Sequence, residues 1–380
     1  MNIQLSNHPT ATDYAPGAIT AAVSVLPNPQ GWPELEFTLQ APSVAVRVRR
    51  AAQEGVPDLD ERALRSKPNA INALDFSPAG DVLAVGGDAG TIRLLSTADG
   101  AVLRTLTGHV GDISCMRFFP SGQVLMTAAN DLTARIWSTL DGSCPRTLKG
   151  HSRVITDCAM IGRGKSVLTT SRDCTARLWL CSTAECTTVF DLEHPVQAVS
   201  LLEMARYAPD RFPSWHDYST DEERYLGVFA LESGSIVGVH LSTHDIEFRL
   251  PYTHPANTLT VLNARYLAAG YENGVMIVWD MQLQRPAVTA QVFKTPVTQV
   301  KLLSATGTPG FVVVVTSADG LAQTVSVTVP TSGSDGNDGT AQIQTILTGC
   351  DMEPLYAVAV VPGQRTVATA GRDGVVRVYK

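Results

Sequence analysis

Gly108-His109-Val110-Gly111-Asp112, closing on Arg135-Ile136-Trp137, is answered by Gly150-His151-Ser152-Arg153-Val154, closing on Arg177-Leu178-Trp179. His109 and His151 are 42 residues apart, and so are Trp137 and Trp179. Within the second copy, residues 159–161, 166–170 and 175–179 are short β-prone runs separated by Gly, Asn, Asp or Ser turn chemistry, and a fourth run covers 186–190. One copy therefore reads as a four-stranded antiparallel sheet. A sheet that recurs every 40 residues or so is the signature of a β-propeller.

The polar residues repeated in each copy have a structural reading. Asp173 in a turn can accept from His151, His151 can reach Thr169, and Thr169 can reach the indole N–H of Trp179. His109, Thr127, Asp131 and Trp137 repeat the same set. A buried chain of this kind stiffens a sheet when every member is satisfied. These His and Asp residues are expected to be architectural rather than catalytic.

Further along, the repeat degenerates but continues. The first blade covers about 68–106 with Leu95 in place of the closing Trp, and the fourth opens at His194-Pro195. The fifth opens at His254-Pro255, with Ala269 where Thr is expected. The sixth runs from Val297, and the seventh ends at Tyr379 with Cys350 where His is expected. Seven blades result over residues 59–380, making the chain all-β. Residues 1–58 lack the repeat. Their runs 19–26, 35–39 and 44–48 predict a small β-rich N-terminal extension of three strands docked on the ring. The last blade has no fourth strand of its own, so a segment near 60–65 is expected to pair beside Tyr379 and close the ring. Residues 203–224 interrupt the fourth blade, and 331–340 read as a flexible Gly/Ser/Asp linker.

Composition narrows the function classes. Net charge is −7 with 17% charged residues, which disfavours a phosphate backbone as partner; no nucleic acid is expected. No apolar run approaches the length of a membrane span, and no signal-peptide pattern opens the chain. Seven cysteines form no C-x-x-C pair and no zinc-spaced cluster, so no metal or cofactor is expected. A reducing compartment, cytoplasmic or nuclear, fits them. No catalytic motif is present, and the strands expected to line the central channel read as apolar or neutral. A monomeric, non-enzymatic binding platform remains.

Its binding face is expected where the turns between second and third strands crowd together. The residue before each turn gives Asp88, Asn130, Arg172, Glu232, Glu272, Ala318 and Arg372; Asp112 lies in a loop leading into a first strand, and Tyr271 offers an aromatic anchor. Asp88, Asp112, Asn130, Arg172, Glu232, Tyr271, Glu272 and Arg372 are thus the candidate partner-binding residues. Their acidic members would complement a basic partner.

The whole chain resembles a WD-repeat protein. More narrowly, Gly108-His109-Val110-Gly111-Asp112, Arg117-Phe118-Phe119-Pro120-Ser121-Gly122, Lys149-Gly150-His151 and Ser171-Arg172-Asp173-Cys174-Thr175-Ala176-Arg177-Leu178-Trp179 resemble the proteasomal ATPase-associated factor family. These are the animal relatives of the yeast regulatory-particle non-ATPase subunit fourteen. The resemblance implies an assembly chaperone of the 19S regulatory particle that holds the C-terminal domain of a base-ring ATPase subunit. The alternative is a substrate receptor or scaffold of a ubiquitin ligase. Against it, Trp137 and Trp179 are followed by Ser138 and Leu180, and Trp279-Asp280 by Met281-Gln282, so the Trp-Asp-x-Arg box of such receptors is missing.

Overall fold

The computed structural model describes residues 20–26, 34–41, 44–50, 70–207, 220–305, 310–329, 339–348 and 353–379. Seven antiparallel sheets follow one another along the chain. Their first strands are Ile71–Phe76, Ile113–Phe118, Ile155–Ile161, Val196–Glu203, Ala256–Val261, Val297–Ala305 and Leu355–Val360. Each touches the next, and the last touches the first, so these strands form the inner wall of a seven-bladed β-propeller.

The blade's position explains the sequence of each strand. Second strands are covered on both faces by neighbouring blades and read as continuous apolar or small residues. Ser166–Ser171 is buried throughout, and Gly310–Ser317 is nearly so. The outer strand Glu185–Asp191 alternates exposed and covered positions, because only one face has a neighbour.

All seven first strands share a feature that strict alternation hides. Each pairs with its second strand through a register shift near its start, at Ile71/Ala73, Ile113/Cys115, Ile155/Asp157, Val196/Ala198, Ala256/Thr258, Val297/Gln299 and Leu355/Ala357. The extra residue of such a bulge reverses the parity of the side chains beyond it. In blade one, Ile71, Leu74 and Phe76 pack towards blade seven while Ala73 packs towards blade two. The bulged residues are Asn72, Ser114, Thr156, Gln197, Asn257, Thr298 and Tyr356. Several stitch the wall: Thr156 Oγ1 donates to the Val196 carbonyl at 2.8 Å and Asn257 Nδ2 to that of Val297 at 3.0 Å, each on the next blade.

The core is distributed between the blades. Seven apolar clusters among the described residues each join two adjacent blades, and one of them joins blade seven to blade one through Leu83, Val85, Ala357 and Ala368. The ring is thereby packed shut. The strand expected near 60–65 lies outside the described residues. In the N-terminal region, Thr20–Leu26, Glu34–Ala41 and Val44–Arg50 form an antiparallel set, and Val44–Arg50 runs parallel to Thr340–Thr348 on the outer edge of blade six.

The 203–224 insertion begins with the turn Met204–Tyr207, whose Tyr207 ring is buried 6.0 Å from that of Phe248. It returns through Arg224, which pairs with Glu203 and Asp221 at 3.4 Å each. Phe212, Trp215 and Tyr218 lie outside the described residues, as does the linker segment 331–338.

The turns between second and third strands place one residue in the left-handed region, or two in blade one, where Ala89 and Gly90 share it. Gly274, Gly320 and Gly374 occupy it in blades five to seven, but Leu132 (φ 64°) and Cys174 (φ 67°) occupy it in blades two and three. Left-handed backbone costs a non-glycine L-residue about 1–2 kcal/mol. Leu132→Gly and Cys174→Gly are each expected to stabilise the protein by up to about 1 kcal/mol, after glycine's own entropy cost; urea unfolding measures it, and a loss of stability at both sites would refute the argument.

Candidate functional site

Two blades carry complete buried hydrogen-bond chains. In blade two, Trp137 Nε1 donates to Thr127 Oγ1 at 2.8 Å. The threonine hydroxyl donates to His109 Nε2 at 2.9 Å, and His109 Nδ1 donates to Asp131 Oδ2 at 2.8 Å. In blade three the distances for Trp179, Thr169, His151 and Asp173 are 2.8, 2.8 and 2.9 Å. The geometry assigns both imidazoles as neutral Nδ1–H tautomers, since Nε2 must accept. Gly108 and Gly150 open the repeats against the closing indoles: a Cβ on them would come within 3.1 Å of the Trp137 ring and 3.2 Å of the Trp179 ring, and would displace the ends of Arg135 and Arg177.

Blade five rebuilds the chain from other residues. Tyr252 stands four residues before its first strand, as His109 does in blade two, and Asn273 replaces Asp131. Asn273 Nδ2 donates to the Tyr252 hydroxyl at 3.2 Å, and Trp279 Nε1 donates to the Tyr271 hydroxyl at 2.9 Å. The two tyrosine rings touch, with centroids 4.4 Å apart. Tyr271 is fully buried. This corrects its expected role as a surface anchor: its hydroxyl supplies what Ala269 cannot. Blade seven keeps Thr369, whose Oγ1 lies 3.5 Å from the Tyr379 hydroxyl.

The other predicted positions fall on one rim. The backbone N–H of Asp88, Asn130, Arg172, Glu232, Glu272, Ala318 and Arg372 donates to the carbonyl of Ala70, Asp112, Val154, Pro195, Pro255, Pro296 and Pro354, respectively, at 2.8–3.0 Å. The same bond made seven times puts the seven residues at equivalent places around the ring. Their side chains differ in availability. Asp88 is spent on the Ala70 N–H and on Asn72 Nδ2, at 3.1 and 3.2 Å, and Asp112 accepts from the Ala89 N–H at 3.1 Å. Asn130, Arg172, Glu232, Glu272 and Arg372 are exposed, with Arg372 a loose 3.8 Å from Glu353. Glu232 and Glu272 make blades four and five the acidic sector.

The inner wall differs from expectation. The channel is charged: Asp75, Arg117, Asp157 and Lys301 lie on the first strands of blades one, two, three and six. Asp75 accepts from the Phe118 N–H at 2.6 Å, and Asp157 accepts from Arg117 Nη2 at 3.2 Å and from the Val199 N–H at 3.1 Å. Parity counted without the bulges conceals them. The wall also brings together Cys115 and Cys158 with Asp157, their ligand-type atoms all within 4.8 Å of one another. The Asp157 carboxylate is already occupied by the bonds above, and the hydrogen bond with Cys158, then burial, hold the Cys115 thiol protonated. Spacing rules for zinc overlook this grouping because the two cysteines come from different blades.

The WD domain, G-beta repeat, family is matched over residues 62–96, 100–138, 142–179 and 340–380. Comparison with curated proteins gave no match. The matches are staggered by one strand from the sheets: 100–138 begins at the outer strand Val102–Leu106 of blade one and ends with the third strand of blade two. The fold is that of a protein-interaction scaffold, typically non-catalytic. With four matched repeats and a ring of seven sheets, this chain is a seven-bladed β-propeller carrying WD repeats.

Two expectations follow from the hydrogen-bond chains. Thr169→Val deprives both His151 Nε2 and Trp179 Nε1 of their partner; at about 1–3 kcal/mol for each buried group left unsatisfied, a loss of about 2–4 kcal/mol is expected in urea unfolding. A wild-type-like midpoint would show that the network contributes little.

The second concerns acid. Burial holds His109 and His151 below the ordinary 6.5 despite their aspartates. Burial opposes ionisation of Asp173 too, but hydrogen bonds from Thr175, the Ser152 N–H and His151 override it and bring it to about 2. Both depressed groups stabilise the fold at high pH and lose that contribution on acidification. The contribution of these histidines and aspartates is expected to be level above pH 6.5, to fall as unfolded imidazoles take up protons below it, and to fall again from pH 3.8 towards 2. Denaturation midpoints that do not change between pH 7 and 5 would contradict the histidine part.

Proposed function

We propose that this WD-repeat protein is a non-catalytic assembly chaperone of the 19S proteasome regulatory particle that holds the C-terminal domain of one base-ring ATPase subunit. The observation that carries the reading is the repeated stretch from Gly108 to Trp179. Its motif residues resemble the proteasomal ATPase-associated factors, and it folds into the two blades with complete hydrogen-bond chains. A chaperone of this kind acts sterically, by occupying a surface of the subunit until its proper neighbours displace it. That requires a preformed face that does not reorganise on binding, and a rim fixed by seven backbone bonds supports such a role. Glu232 and Glu272 are the proposed acidic contacts, with Asn130, Arg172 and Arg372 completing the rim. Asp88 and Asp112 serve the loops instead. A basic partner surface would be drawn to the acidic sector, and the attraction would weaken with salt.

Binding of the full chain to each of the six recombinant ATPase C-terminal domains tests this. One or two are expected to bind, and the pair Glu232→Lys with Glu272→Lys is expected to weaken that binding at least tenfold. Binding indifferent to the pair moves the contact off this sector; no binding to any of the six removes the chaperone reading.

A further inference from the structure

A cavity of about 660 Å³ opens on the face opposite the rim, where first strands turn into second strands. Asp75, Arg117, Thr260 and Lys301 line it from the first strands of blades one, two, five and six, with Gln364 and Arg365 from the turn of blade seven. Blades one and two stand across the ring from blades five and six, so one cavity touching all four is the mouth of the central channel.

The charges in its wall are unequal in their freedom. Arg117 is committed: Nη2 to Asp157 at 3.2 Å and Nη1 to the Met116 carbonyl at 2.8 Å. Asp75 is held by the Phe118 N–H. The side chains of Lys301 and Arg365 make no hydrogen bond or ion pair with the described residues. Arg365 is exposed at the lip; Lys301 is half-buried. The channel wall here thus carries three cations, Arg117, Lys301 and Arg365, against two carboxylates, Asp75 and Asp157, in a chain whose net charge is −7. Lys301 is half desolvated and faces another cation, while the carboxylates near it, Asp75 and Asp157, are bonded to other groups; an incoming anion relieves that state.

We propose that the mouth of the channel is a binding site for a small polyanion bearing phosphate or carboxylate groups, with Lys301 in the wall and Arg365 at the lip as its cations. The volume fits: pockets for small ligands run from about 300 to 1,000 Å³. The site is independent of the chaperone reading and lies on the other face.

Protonation of Lys301 is coupled to occupancy. Lys301 faces Arg117 of blade two, Asp75 of blade one, and Asp157 and Cys158 of blade three. The Arg117 charge, then burial, bring it down to about 8, against the pull of the two carboxylates. A bound anion favours the ammonium form, so affinity is highest below pH 8 and falls as the pH rises towards 9.

Calorimetric titration of the full chain with pyrophosphate and, separately, with citrate, at pH 7 and pH 9, tests the proposal. At least one probe is expected to bind at pH 7 and to weaken severalfold at pH 9; which one binds tells a phosphate ligand from a carboxylate ligand. Lys301→Met is expected to weaken binding at least tenfold without lowering the melting temperature, since it removes a charge that Arg117 repels. Should that variant fold poorly, Arg365→Ala, at an exposed turn, is expected to weaken binding at least threefold. Failure of both probes at millimolar concentration overturns the proposal. So does binding that survives both substitutions.

Discussion

The ring depends on apolar contact between sheets that exchange no ladder hydrogen bonds with one another. Each blade is closed within its own set of strands, but neither of its faces is covered until a neighbour arrives. Every core cluster among the described residues accordingly straddles two blades. Trp137 belongs to the cluster between blades one and two, and Trp179 to that between two and three. The polar chain that fixes each indole therefore sets a blade-to-blade contact as well as its own sheet. Where the chain is missing, as in blade one with Leu95, the interface persists on apolar packing that includes Phe76.

Much of this was legible in residue spacing. Two intact copies 42 residues apart establish the blade, and turn residues at regular intervals carry the count through the degenerate copies. Two things were not legible. The first is substitution in three dimensions: Tyr271 reaches the Trp279 indole from two residues beyond the usual threonine position. A linear template records Ala269 as a gap and Tyr271 as a spare aromatic. The second is parity. A bulge near the start of each first strand reverses every side chain after it, so Asp75, Arg117 and Lys301 fall in the channel wall. The rim positions, set by turn residues rather than by alternation, escaped that error, yet burial still separated Asp88 and Asp112, bound to neighbouring loops, from the freely exposed Glu232 and Glu272.

The two faces of the ring consequently differ in kind. One is a broad rim of exposed, mixed charges suited to another protein's surface. The other has a concave mouth where cations from opposite sides of the molecule converge on a volume fit for a small molecule. Both are fixed by the same inner strands: the rim's hydrogen bonds are accepted next to the start of each first strand, and the cavity lies near their ends.

The seven rim bonds run from backbone to backbone. The bond itself needs no side chain, which is why Asp, Asn, Arg, Glu and Ala can all stand there on the same fold, with only Asp88 also bonding its own loop through its carboxylate. The rim is in effect a dial of seven characters, six of them writable without disturbing a side-chain bond that holds the turn. Exposed charge there can change one character at a time on an unchanged frame.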